Sequence, residues 1–176
     1  MSKTTGSPII SSLADLFAAA YQIEADAAER YELLATQMET HNNPELASLF
    51  RDLARAEGIH RDEIRRLADP IDVDVLTQRR FTWGRDESPE DADLGAVHYL
   101  MKPWHALQLA LTAEKRALAF FTSIAGTTKD PKVKAMADEF VEEEAEHVNL
   151  VYRLLRKYPE PPEQWAQDPD SPVAQD

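Results

Sequence analysis

The chain has 176 residues, long enough for one domain with a sizeable core and too short for two comfortable ones. Its formal net charge of -13 opposes any general affinity for nucleic acid or an anionic membrane, because the sequence-independent part of such binding comes from Lys and Arg. A cationic ligand suits it better. The absence of cysteine excludes disulfides, thiolate zinc sites, cysteine-ligated iron-sulfur clusters and a thiol nucleophile. Residues Met1 to Pro8 show no charged-then-apolar leader pattern, and no run of 18 apolar residues occurs, so a soluble, cytoplasmic protein is expected.

Four segments carry a helical period and none reads as a strand series, which predicts an all-α fold. From about Ser12 to Thr40 the inward series is Leu13, Phe17, Ala20, Glu24, Ala27, Tyr31, Leu34 and Met38, in alternating steps of three and four. Glu24 stands where a core residue belongs. Asn43 then offers an N-cap and Pro44 a first helical residue. The second helix, to about Ala68, has the stripe Leu46, Phe50, Leu53, Glu57, His60, Ile64 and Leu67. Two polar residues, Glu57 and His60, fall on it as a Glu-x-x-His pair.

From about 69 to 102 no period is sustained, and Pro70, Gly84 and Pro89 interrupt the segment. Ser88-Pro89-Glu90 looks like the start of a short helix reaching toward Met101. This length suffices to cross from one end of a bundle to the other, with Phe81 and Trp83 expected to pin the crossover. The third helix opens at Pro103 or Trp104 with the stripe Leu107, Ala110, Glu114, Ala117, Phe121 and Ile124, and Gly126 is expected as its C-terminal cap. Asp130 and Pro131 repeat the cap-plus-proline start. The fourth helix places Val133, Ala137, Phe140, Glu144, His147, Val151 and Leu154 inward, including a second Glu-x-x-His, Glu144 and His147. A bundle over 1-157 is followed by a proline-rich, acidic tail over 158-176, expected to be solvated.

The two halves repeat one another. Pro44 precedes Glu57 by 13 residues and Pro131 precedes Glu144 by 13, while Tyr31 follows Glu24 by seven and Phe121 follows Glu114 by seven. The distance from the single Glu to the proline differs by three between halves, a difference assigned to the loops after the first and third helices. Two such hairpins joined by a long crossover make a pseudo-twofold four-helix bundle in which equivalent positions meet at the centre.

Four glutamates and two histidines then converge in an apolar interior, where even one isolated carboxylate is costly to bury. Two divalent cations would neutralise four carboxylates, and the imidazoles would complete nitrogen and oxygen coordination suited to iron or manganese. Any single Glu-x-x-His on an acidic helix is more often a solvated pair. The joint occurrence of six polar residues on independently drawn stripes favours a metal centre made of Glu24, Glu57, His60, Glu114, Glu144 and His147. Glu142, Glu143 and Glu146 fall off the stripe and read as a solvated face. His41 falls in a loop, and His98 and His105, in or near the crossover, have no partner at ligand spacing. Tyr31 reads equally as core packing or as a hydroxyl supporting a ligand carboxylate.

The order Glu24, Glu57-x-x-His60, Glu114, Glu144-x-x-His147, together with Ala27, Tyr31, Phe121, the Glu-Ser-Pro-Glu at 87-90 and the run from Ala106 to Glu114, resembles the ferritin-like di-metal carboxylate superfamily. Over about residues 13-155 the chain is most similar to its rubrerythrin-like branch. The resemblance implies a ferritin-like four-helix bundle and two iron ions, with manganese possible in relatives. It implies that Glu57 and Glu144 bridge the metals, that Glu24 and His60 hold one, and that Glu114 and His147 hold the other. It further implies oxidation by hydrogen peroxide or dioxygen, with Glu24, Glu57, Glu114, Glu144 and Tyr31 as the catalytic set, and a homodimer.

Two departures stand out. Rubrerythrins proper carry a cysteine-bound rubredoxin-type iron, so this chain needs a separate electron donor. They also place a further glutamate one turn after the third-helix ligand, where this chain has Ala117. That makes the site closer to the symmetric one of bacterioferritin. Three functions compete: peroxide reduction, iron handling by ferroxidase chemistry, and a non-catalytic helical module stabilised by metal.

Overall fold

A computed structural model describes residues 10-68 and 101-162. Among them lie four helices: α1 (Leu13–Thr40), α2 (Pro44–Leu67), α3 (Pro103–Thr127) and α4 (Pro131–Leu155). α1 packs chiefly on α2 and α3 chiefly on α4, and α1 also touches α4 as α2 touches α3. The expected pair of hairpins in an all-α bundle is the observed architecture. The crossover with Phe81, Trp83, Ser88-Pro89-Glu90 and His98, and the tail from residue 163, lie outside the described residues. No described helix is long and apolar enough to cross a membrane.

Local chemistry sets the helix ends. Ser12 caps α1 by accepting from the Asp15 amide at 3.2 Å, and Asp15 in return accepts from the Ser12 and Ser11 hydroxyls at 2.9 and 2.7 Å. At the other end Asn42 takes a left-handed φ of 55°. The amides of Asn42 and Asn43 then reach back to the carbonyls of Glu39 and Met38, a Schellman closure in which Asn does the work usually given to Gly. Asn43 also starts α2, its Oδ1 accepting from the Leu46 amide at 3.3 Å while its Nδ2 donates to the Met101 carbonyl at 3.0 Å. One side chain thus ties the α1-α2 turn to the entrance of α3. Asp130 caps α4 through the amides of Lys132 and Val133.

The core is two apolar clusters with a polar layer between them. One cluster joins Ala27 to Met38 of α1, Leu46 to Ala54 of α2, Ala106 to Leu111 of α3, and Val148 and Val151 of α4. The other joins Leu16 to Ile23, Ile64 and Ala68, Ala117 to Ala125, and Val133 to Phe140. The gap between them on every helix is where Glu24, Glu57, Glu114 and Glu144 fall, all four buried.

Three expectations need correction. Leu67 ends the α2 stripe on the surface, 51% exposed, because Ile64 and Ala68 take the inward positions at this end of the helix. The three-residue difference between the halves sits in the helices. Each hairpin turn has three residues, and α1 runs sixteen residues past Glu24 whereas α3 runs thirteen past Glu114. Gly126 is not a cap: α3 continues through it to Thr127, its φ is not positive, and a Cβ there would meet open space. Gly126→Ala is therefore expected to stabilise the fold by about 0.5-1 kcal/mol, since helix interiors favour Ala by that margin. Urea denaturation checks it; a loss of stability would restore the cap.

Candidate metal centre

Each helix contributes its polar residues at one level. α1 supplies Glu24, α2 Glu57 and His60, α3 Glu114, and α4 Glu144 and His147. The i,i+3 spacing within α2 and α4 sets carboxylate and imidazole on one face. His60 Nδ1 lies 3.9 Å from Glu24 Oε2 and 3.7 Å from Glu57 Oε2. His147 Nδ1 lies 3.5 Å from Glu114 Oε2 and 3.6 Å from Glu144 Oε2. Each imidazole therefore faces the two carboxylates of its own hairpin, and the halves meet where the His60 and His147 rings stack, centroids 4.2 Å apart and planes 18° from parallel.

These near contacts are not hydrogen bonds. Among the described residues, the buried side-chain atoms with no hydrogen-bond partner are Glu24 Oε2, Glu57 Oε2, Glu114 Oε2, Glu144 Oε2, His60 Nδ1 and His147 Nδ1. An unsatisfied buried polar atom costs about 1-3 kcal/mol, so the set rivals the roughly 5-15 kcal/mol net stability of a whole domain. All six belong to the proposed ligand set, and all point into one layer. Donor atoms of Glu57, His60 and His147, and of Glu114, Glu144 and His147, lie within 4.8 Å of one another. Oxygen and imidazole nitrogen in this proportion suit a divalent transition metal. The residues fit the group.

Other residues sort differently. Tyr31 is buried and its ring stacks on Phe50, centroids 6.1 Å apart, in the cluster adjoining the carboxylate layer. Phe121, its repeat mate, packs against Phe140 in the other cluster. His105 serves the α3 start, its Nδ1 accepting from the Lys102 amide at 3.1 Å, and His41 closes α1. Glu142, Glu143 and Glu146 are exposed, as expected of a solvated face. The stripes alone do not reveal that Glu143 lies near both imidazoles. Its i,i+4 relation to His147 is the one signal of this in the sequence.

The electrostatics follow from crowding. Burial, then the Glu57 and Glu144 carboxylates, push Glu24 well above the usual carboxylate range. Burial lifts Glu114 to about 7 against the opposing pull of His147. Burial lowers His147, but the facing Glu114 and Glu144 carboxylates outweigh it and hold its pKa at about 10. Metal-free protein consequently loses stability as pH rises. The Glu114 penalty is absent below 4.5 and complete above about 7, and Glu24 acts in the same direction. The His147 contribution is full below 6.5 and lost as pH passes about 10. Urea midpoints of metal-free protein should fall from pH 5 to pH 9, and saturating divalent cation, which displaces those protons, should reverse the slope.

The rubrerythrin family model matches residues 15-88, a span holding Glu24, Glu57 and His60. The chain is also similar to a solved structure of an uncharacterized conserved protein from Magnetospirillum magnetotacticum MS-1. The two are 37% identical with a TM-score of 0.66, over 86% of this chain and 99% of that one. No curated protein matches the chain. With a solved relative aligned along nearly its whole length, the first hairpin matched by the family model, and paired hairpins enclosing a layer of carboxylates and imidazoles, the chain belongs to the rubrerythrin-like branch of the ferritin-like superfamily.

Proposed function

We propose that the chain is a di-iron oxidoreductase that reduces hydrogen peroxide, or dioxygen, at its carboxylate layer. The observation that carries this reading is the set of six orphaned donor atoms, one on each of the six polar residues between the apolar clusters. Glu24, Glu57 and His60 would hold one metal and Glu114, Glu144 and His147 the other. A pair of ferrous ions held there would supply the two electrons that peroxide reduction requires.

The protein's own residues do the rest. The apolar clusters on either side of the layer exclude bulk water and hold the four helices at fixed separation. In metal-free protein Glu114, with its pKa raised to about 7, carries a proton near neutrality, which a bound cation would displace. Tyr31 lies two turns past Glu24, and helical side chains lean toward the helix N-terminus, the direction of the carboxylate layer. Its proposed part is to hold a ligand carboxylate in place.

Electrons would come from a donor outside these residues, which hold no cysteine to bind a rubredoxin-type iron. Cytoplasmic location and a homodimer complete the proposal by family analogy. Ferroxidase chemistry is the second reading, favoured by the symmetric set of three donors from each hairpin and by the buried Ala117 where a further carboxylate would break that symmetry.

Purified protein should bind two irons per chain, and its reduced form should be oxidised by stoichiometric peroxide faster than by dioxygen. Glu57→Ala and Glu144→Ala should abolish binding of at least one iron, whereas Tyr31→Phe should keep both and lose about tenfold or more in peroxide rate. Metal analysis with stopped-flow absorption checks all three variants. Faster reaction with dioxygen than peroxide, with many irons oxidised per chain, would transfer the assignment to iron handling.

A further inference from the structure

The six polar residues of the layer do not share one exposure. The four carboxylate side chains are at most 5% exposed, while His147 is 16% and His60 is 30% exposed. The Nδ1 atom of each ring is itself buried, so the exposed portion is the opposite part of the imidazole. The stacked pair therefore forms the boundary between solvent and carboxylates, with inner edges facing Oε2 atoms and outer edges facing water.

Two further carboxylates flank that boundary. Glu143 stands four residues before His147 on α4, and Glu63 three residues after His60 on α2, so each neighbours an imidazole on its own helix. Glu143 is exposed and lies close enough to both imidazoles and to Glu63 to interact with them. Glu142 and Glu146 carry the same charge but occupy the outer face of α4.

We propose that divalent cations enter the carboxylate layer past the stacked His60-His147 pair, and that Glu143, with Glu63 nearby, is the group that captures them at this opening. The proposal rests on the metal-centre reading and adds a route and a residue to it. A cation approaching the ring pair meets the Glu143 and Glu63 carboxylates first, and acidic groups at an opening concentrate cations and raise association rates. Glu143 is not placed among the ligands, so its contribution is to the rate of loading rather than to the loaded state. A ring must shift for the ion to pass, and the aromatic stack offers less resistance to that than the packed apolar clusters above and below.

The test uses the full chain freed of metal and mixed with Co²⁺, whose visible absorption changes on coordination, in a stopped-flow instrument. Glu143→Gln should slow uptake about threefold or more, and Glu143→Lys further still, with the difference shrinking as salt is added. Final stoichiometry should stay that of the unaltered chain. Glu142→Gln and Glu146→Gln should load at the unaltered rate. Equal slowing in all Gln variants would mean that net charge alone governs uptake and would overturn the proposal, as would no change in either Glu143 variant. Failure of the unaltered chain to take up Co²⁺ would instead overturn the metal-centre reading, and the proposal with it.

Discussion

Four ionisable carboxylates buried at one level of a helical bundle set the terms for the rest of this molecule. The buried interior above and below them is made of Ala, Val, Leu, Ile, Met and Phe, with Tyr31 the one buried residue of the two clusters that carries a hydroxyl. Such a layer persists only if something else neutralises it, and within the described residues the groups at hand are two imidazoles. The cost is met partly by protonation, visible in the raised carboxyls of Glu24 and Glu114 and in a His147 held cationic. Two divalent cations would match the charge of all four carboxylates. The apolar clusters, the cap residues and the turns can be understood as the frame that keeps this layer assembled.

Much of that frame is legible in the sequence, because alternating steps of three and four mark the inward stripe of a helix from residue types alone. Glu24, Glu57, Glu114 and Glu144 stand out by being polar on those stripes, and all four are buried. Asn43 with Pro44 and Asp130 with Pro131 announce two helix starts correctly, since a side-chain acceptor followed by a residue without an amide suits few other positions. Helix ends are less legible. Gly126 has the composition of a cap while Asn42 does the capping one hairpin earlier, because the left-handed position is chosen by how the next helix must leave rather than by the nearest glycine. The repeat is plain in its residues, but spacing alone does not say whether its three extra residues lengthen a loop or a helix.

Every relation between helices lies beyond the sequence. The His60-His147 stack joins two segments 87 positions apart, and no periodicity within either helix encodes the contact. Glu143 reads as part of a solvated face for the same reason. Its exposure agrees with that reading, but its proximity to His60 depends on where α4 lies relative to α2. Stripes tell which side of a helix is inward; they do not tell what stands at the edge of that side.

That edge also bears on the symmetry of the site. The two hairpins present the same donors in the same order, yet the outer neighbours differ: the repeat mate of Glu143 is Ala56, and the repeat mate of Glu63 is Leu150. The ring on α2 is about twice as exposed as the ring on α4, so the duplicated layer meets an unduplicated surface. Because the rings stack on each other, displacement of His60 removes a neighbour from His147. A bundle built by repetition thus acquires a preferred side, and the difference arises from residues just outside the layer rather than from those within it.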